Sequence, residues 1–231
     1  MRVVHTSDNH GAFSPIKGRS IDVIIHSGDL LPDPDPSHGH KKDIIEYWQR
    51  KWVWDHIEQF KTWIGALPFL FTLGNHDFAG AEWLETELKK EGIDATCLHE
   101  KITSFKGINL YGLQYVPVIN GYHNYELDVD GMQAKLDDMV KAVNEATYVD
   151  VLVLHCPPHM ILDEDLRNGL HWGNKLLNKA LFESIEAEKA PHLVCVGHCH
   201  SSNSVRMISK NGRTILFSNA ATTQQILDLN Y

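Results

Sequence analysis

The 231-residue chain has no apolar run near the length of about 20 residues that a membrane-spanning helix needs. Its start, Met1-Arg2-Val3-Val4-His5, also lacks the basic segment and longer apolar run of a secretory leader, so a cytoplasmic protein without membrane association is expected. Cysteine is scarce. Cys97, Cys156, Cys195 and Cys199 show no zinc-knuckle spacing, and three of them lie in or beside apolar runs, so reduced structural thiols are expected. Basic residues are outnumbered, 21 Lys and Arg against 30 Asp and Glu, for a formal charge of -9. That balance argues against an extended nucleic-acid groove, where Lys and Arg must neutralise phosphates. A phosphate-bearing substrate would need positive charge from elsewhere, and bound metal would supply it. No repeat, low-complexity tract or linker divides the chain, and 43% hydrophobic with 22% charged residues fits one domain over 1–231.

What the chain does have is five short apolar runs ending in metal-binding residue types. Val3 to Ser7 runs into Asp8-Asn9-His10-Gly11, and Val23 to Ser27 into Gly28-Asp29. Phe69 to Leu73 runs into Gly74-Asn75-His76-Asp77, Val151 to Leu154 into His155, and Leu193 to Val196 into Gly197-His198-Cys199-His200. An α/β sheet presents its chemistry at the carboxyl ends of buried strands, so five such endings point to one assembled site. Residues two apart in extended backbone face the same way, which pairs Asp8 with His10 and His198 with His200. Asp29 follows a Gly turn and has two oxygens, enough to bridge two cations.

The connecting segments alternate with these runs. Apolar residues from Lys41 to Ile64 recur at helical spacing, as they do over Ala81 to Lys90, Gln133 to Ala146 and Asn174 to Ala187. Cys97 to Tyr115 reads as antiparallel strands of a second sheet, Pro117 to Asp130 as loop, and Val205 to Phe217 as a hairpin turning at Asn211-Gly212. Alternating prolines make Pro32 to His40 an extended solvated loop beside Asp29, with His38 and His40 near a possible rim.

The candidate metal ligands are Asp8, His10, Asp29, Asn75, His155, His198 and His200. Carboxylate, amide and imidazole without thiolate suit Mn, Fe, Zn, Co or Ni better than Ca. Seven ligands with one bridging carboxylate exceed a tetrahedral zinc and fit a pair of ions. Such a pair clamps both oxygens of an in-line displacement at phosphorus and generates hydroxide at neutral pH, which is the chemistry of a phosphate-ester hydrolase.

The ordered set Asp8-Asn9-His10, Gly28-Asp29, Gly74-Asn75-His76-Asp77, His155 and Gly197-His198-Cys199-His200 resembles the calcineurin-like metallophosphoesterase superfamily, block by block over nearly the whole chain. The resemblance implies an α/β fold, a two-sheet αββα sandwich, with two divalent or trivalent transition-metal ions at the strand ends, manganese favoured. By that match, Asp8, His10, Asp29 and His200 hold the first metal and Asn75, His155 and His198 the second, with Asp29 bridging. His76 matches the histidine that contacts the phosphate and protonates the leaving oxygen, and a metal-bridging hydroxide is the implied nucleophile. The segments His155-Cys156-Pro157-Pro158, Leu162-Asp163, His171-Trp172-Gly173 and Asn219-Ala220 look most like the small stand-alone metallophosphoesterase-domain phosphodiesterases. A small phosphate diester is thus the expected substrate, a nucleotide among the candidates. A phosphomonoesterase or nuclease with the same centre is the alternative, and the complete ligand set with His76 argues against a non-catalytic scaffold. The chain departs from the protein Ser/Thr phosphatases, which carry Asp and Arg where Leu30-Leu31-Pro32-Asp33 stands and Glu where Asp77 stands. The arginine phosphate clamp is therefore missing, and Asp33 and Asp77 both remain candidates to orient His76.

Overall fold

A computed structural model describes residues 1–34 and 41–229; His38 and His40 lie outside the described residues. The first half of the chain runs β1 (Arg2–Thr6), β2 (Val23–Ser27), α1 (Lys42–Asp55), α2 (Ile57–Ile64), β3 (Phe69–Thr72), α3 (Ala81–Lys90) and β4 (Ala95–Cys97). Next come β5 (Ile102–Phe105), β6 (Ile108–Leu113), β7 (Val116–Pro117), β8 (Glu126–Leu127) and α4 (Val129–Glu145). The remainder is β9 (Val151–Leu154), β10 (Glu164–Asp165), β11 (Leu170–His171), α5 (Lys175–Lys179), β12 (Leu193–Val196), β13 (Ser204–Lys210), β14 (Arg213–Asn219) and β15 (Gln224–Asp228).

Two main sheets form the layers, one in the order β15-β1-β2-β3-β4 and the other β13-β14-β12-β9-β6-β5, while β7 pairs with β8 and β10 with β11 apart from them. β1 to β4 pair in parallel, as do β6, β9, β12 and β14, while β15, β13 and β5 close the edges antiparallel. Every residue of β2, β3, β9 and β12 is buried, the pattern of parallel strands covered on both faces.

Side-chain alternation then sorts the core into three layers. Val23 and Ile25 of β2 meet Val151 and Val153 of β9 and Leu193 and Cys195 of β12 between the sheets. Ile24, Phe69 and Phe71 face outward onto Val53, Phe60, Ile64, Leu84 and Leu88 of α1, α2 and α3. On the other side Leu152, Leu154, Val194 and Val196 pack on Leu136, Met139 and Val143 of α4 and on Leu177 of α5. The expected αββα sandwich is therefore present.

Several boundaries differ from the sequence expectation. The helix over Lys41 to Ile64 is two, because the backbone at His56 leaves helical geometry (φ -120°, ψ 17°). α4 starts at Val129, ahead of Gln133, because the Asp128 side chain caps it by accepting from the Gly131 N–H. After α5 the helix widens to a π turn over Ala180–Ser184 and stops at Ile185. The second sheet is larger than the Cys97 to Tyr115 stretch, for it includes β9 and β12. The five site-bearing strand ends thus come from both sheets, three from one and two from the other. All four cysteines are free and buried, as expected.

Candidate metal centre

The loops leaving β1 and β2 run side by side. Backbone N–H groups of Asp8, His10 and Gly11 donate to the carbonyls of Gly28, Asp29 and Leu30 at 2.8, 3.1 and 2.9 Å. Asp8, His10, Asp29 and His198 all have left-handed backbone, φ 54°, 45°, 53° and 66°. Non-glycine residues there are uncommon and cluster at functional sites. The alternation used to pair side chains from sequence consequently fails at these turns. Asp8 and His10 still converge, but His198 and His200 do not share a side and enter different groups.

One group is Asp8, His10 and His200, whose potential ligand atoms lie within 4.8 Å of one another. His200 Nε2 sits 3.1 Å from Asp8 Oδ1, and the Asp8 carboxylate accepts the His198 N–H. Both ring nitrogens of His10 are buried without a hydrogen-bond partner. Asn9 points away, its amide donating to the Ala12 carbonyl.

A second group is Asp29, His155 and His198, and a third, sharing His10 with the first, is His10, Asp33 and His76. His155 donates Nδ1–H to the Ser27 carbonyl (2.9 Å), so the ring's other nitrogen carries the lone pair in the neutral form. That Nε2 lies 3.2 Å from Asp29 Oδ2 and 3.0 Å from Asn75 Oδ1. Three acceptors facing one another out of reach of solvent demand a positive charge among them, a proton or a metal cation. Without a cation the proton takes the place: burial disfavours the imidazolium, but the Asp29 carboxylate outweighs it and pushes His155 up to about 9. His10 behaves alike, burial opposed by the carboxylates of Asp33, Asp29 and Asp8, and rises to about 9. Against burial, His155, His76 and His10 hold Asp29 well below the usual carboxylate range, so its charge acts on both groups.

Close backbone approach makes this assembly possible. A Cβ on Gly28 would stand 2.3 Å from His155 Nδ1, and one on Gly197 1.9 Å from Ser7 Oγ and 2.3 Å from Asp8 Oδ2. Only hydrogen fits at either place.

His76 has a different environment. Its Nδ1 lies 2.5 Å from Asp33 Oδ1, and its backbone N–H donates to Asp29 Oδ1. Burial opposes protonation of His76, and Asp33 and Asp29 overcome it, raising its pKa. Asp77, the other candidate partner, is fully buried and spends its carboxylate on the backbone N–H groups of Leu30, Leu31 and Gly74. Asp33 is the carboxylate on His76, and Asp77 is a clamp between two loops.

Gln49, His123 and Asn124 brace the site without having been singled out in the sequence, and Asn219, noted there only as part of a resembling segment, braces it too. Gln49, buried on α1, donates to the carbonyls of Pro32 and His76 and accepts from the Phe78 N–H. A glutamine where the stripe of α1 calls for an apolar side chain was the available signal. The stretch read as featureless loop carries more. Asn124 donates its backbone N–H to the Asn75 carbonyl and its amide to that of Asp77, both at 2.9 Å. His123 then lies over His76 with ring centroids 4.4 Å apart, its Nδ1 3.2 Å from Glu126 Oε1. The Asn219 amide donates to the Leu162 and Cys199 carbonyls and so holds the turn carrying His198 and His200. Over this centre opens a cleft of about 480 Å³ lined by Asp29, His76, His198 and His200, by Ile119 and His123, and by Asp165, Arg167 and Trp172.

The sequence model of the calcineurin-like phosphoesterases matches residues 1–202. The chain belongs to that family. It is therefore a metal-dependent phosphoesterase acting on phosphate esters. No curated protein matches it significantly. A solved crystal structure is similar in fold, with TM-score 0.65 at 15% identity over 94% of this chain and 89% of that one. The matched region ends before β13, β14 and β15, yet β14 and β15 lie beside β12 and β1 and complete the phosphoesterase's two sheets. No helix among the described residues is long and apolar enough to cross a membrane.

Proposed function

We propose that this phosphoesterase is a phosphodiesterase whose two metal sites are Asp8, His10, Asp29 and His200 for the first ion and Asn75, His155 and His198, with Asp29 shared, for the second. The residues fit cations on two counts: His10 offers two buried nitrogens without a hydrogen bond, Nδ1 standing 3.4 Å from Asp33 Oδ1, and His155, Asp29 and Asn75 turn three acceptors on one point. Imidazole, carboxylate and amide without thiolate suit Mn, Fe, Zn, Co or Ni, and among these the family resemblance favours manganese. When bound, the ions supply charge for the phosphoryl oxygens and a water acidified towards hydroxide.

The chain's own residues do the rest. Asp33 holds His76 at Nδ1, leaving Nε2 to give a proton to the leaving oxygen. Gln49 and Asn124 fix the backbone around His76, so the imidazole needs no reorganisation to reach its working position.

The observation that favours a diester is the state of the cleft's guanidinium. Among the described residues lining the cleft, Arg167 is the one Lys or Arg, and both Nε and Nη2 are engaged by Asp165 at 2.9 Å. A monoester carries one more negative charge than a diester at neutral pH, and the cleft holds no uncommitted side-chain cation for it. The test is the relative rate on phenyl-type diesters and the matching monoesters, with each candidate metal restored after chelator stripping. A monoester preference would overturn the substrate class. His76→Ala should slow turnover about a hundred- to ten-thousand-fold with metal content intact. Loss of the metals in that variant would make His76 a ligand.

A further inference from the structure

The cleft is larger than a phosphate and its wall differs in chemistry from its floor. A polar set, the phosphate floor of the proposed centre, is Asp29, His76, His198 and His200, of which Asp29 is buried and His200 half exposed. An apolar set, the wall, is Trp172 and Ile119, residues 42% and 40% exposed in a protein that buries most of its large apolar residues. Neither is placed by accident of a loose loop. Trp172 follows β11, its N–H donating to the Asp163 carbonyl, and buried Asp163 also takes the Gly173 N–H and His171 Nδ1. Ile119 is tied by Glu126, which accepts from the backbone N–H groups of Ile119, Asn120 and Gly121. Two apolar side chains carried on hydrogen-bonded backbone thus border a cleft whose one guanidinium among the described residues is paired with Asp165.

We propose, building on the phosphodiesterase reading, that the substrate carries a flat uncharged ester group, an aryl or nucleoside group, which lies on Trp172 and Ile119 while its phosphate sits on the floor. A second phosphate on that group would find only the paired Arg167. An alkyl group would reach the wall without a ring to stack. The volume suits this occupant, since sites of about 300–1,000 Å³ hold small organic ligands.

The experiment compares two non-hydrolysable anions with the single charge of a diester, methyl(phenyl)phosphinate and dimethylphosphinate, by calorimetry and as inhibitors of the metal-loaded enzyme. Stacking of a base on an aromatic side chain is worth about fivefold to 150-fold in affinity. The phenyl compound should bind tighter than the methyl one by a factor in that range. Trp172→Ala should remove most of the advantage and leave dimethylphosphinate unchanged, and Trp172→Phe should keep most of it. Equal affinities in the wild type, or equal losses for both anions in Trp172→Ala, would overturn the assignment. An enzyme that turns over diesters but shows no phenyl preference defeats this inference alone; one that turns over no phosphate ester in any metal form defeats the reading beneath it.

Discussion

Replacing Asp33 by Asn separates the proton-handling role of His76 from metal binding. The Asp33 side chain is 56% exposed, so its removal should cost the fold at most about 1 kcal/mol, as for other exposed ion pairs. Its catalytic effect should be larger, because Asp33 Oδ1 holds His76 Nδ1 at 2.5 Å. A hydrogen bond to a charged group contributes about 1.5–3 kcal/mol, and each ~1.4 kcal/mol is tenfold, so kcat should fall about 10- to 150-fold. The loss must also depend on the leaving group. A nitrophenolate departs readily without a proton, whereas a phenolate, whose parent acid titrates near pH 10 as a tyrosine does (about 10), needs one. Rates on nitrophenyl and unsubstituted phenyl diesters should therefore diverge, the variant losing more on the phenyl compound. Metal content, measured by elemental analysis, should not change. An equal loss on both esters would refute the role of Asp33 through His76. Released metal would instead mean that Asp33, 3.4 Å from His10 Nδ1, acts on the ligand set.

Asp77→Asn should act on stability: whichever way the amide turns, its nitrogen faces at least one buried N–H of Leu30, Leu31 or Gly74, at about 1–3 kcal/mol each. The melting temperature should drop by roughly 2–12 °C, and an unchanged melt with lost turnover would give Asp77 a chemical role. Asp29→Asn should empty or disable the centre, read as metal content and turnover together; a fully active variant would sink the bridging assignment. Gly197→Ala should cost about 1–3 kcal/mol and weaken metal binding, because the new methyl overlaps Ser7 Oγ and Asp8 Oδ2; a wild-type metal titration would refute it. Acid should destabilise the fold through three neutral histidines, fully buried His5 and His26 at about 3 and half-buried His99 at about 4, each lowered by desolvation. Their folded pKa lies below the unfolded one, so this stability is whole above pH ~6.5 and falls by about 1.4 kcal/mol per pH unit per group below it. Urea midpoints that stay level from pH 7 to 4.5 would contradict this.

Buried parallel strands announce themselves, since a strand covered on both faces must be apolar throughout; Val23 to Ser27 and Leu193 to Val196 were legible for that reason. Edge pairing was not. β15 is half exposed and its partner β1 is the first strand of the chain, so nothing local in Gln224 to Asp228 reports the pairing. The break at His56 was equally silent: the apolar spacing continues from α1 into α2, because both helices pack on the same face of one sheet.

The site was legible in residue type and illegible in direction. Each ligand-rich turn could be found because a strand end is a fixed place, but the alternation rule assumes extended backbone, and four of the seven proposed ligands have left-handed backbone instead. That departure is what lets His198 reach Asp29 and His155 while His200, two residues on, reaches Asp8 and His10. Had the strand geometry persisted, both histidines would have faced the same group and the other would have kept only one of its two imidazoles. The same logic explains why Asp33 could not be chosen over Asp77 beforehand. Asp77 is adjacent to His76 in sequence, but the turn that delivers His76 to the cleft sends Asp77 inward to the N–H groups of Leu30, Leu31 and Gly74. A carboxylate already satisfied by three buried donors cannot also swing out to an imidazole, so the partner of His76 had to come from the other loop.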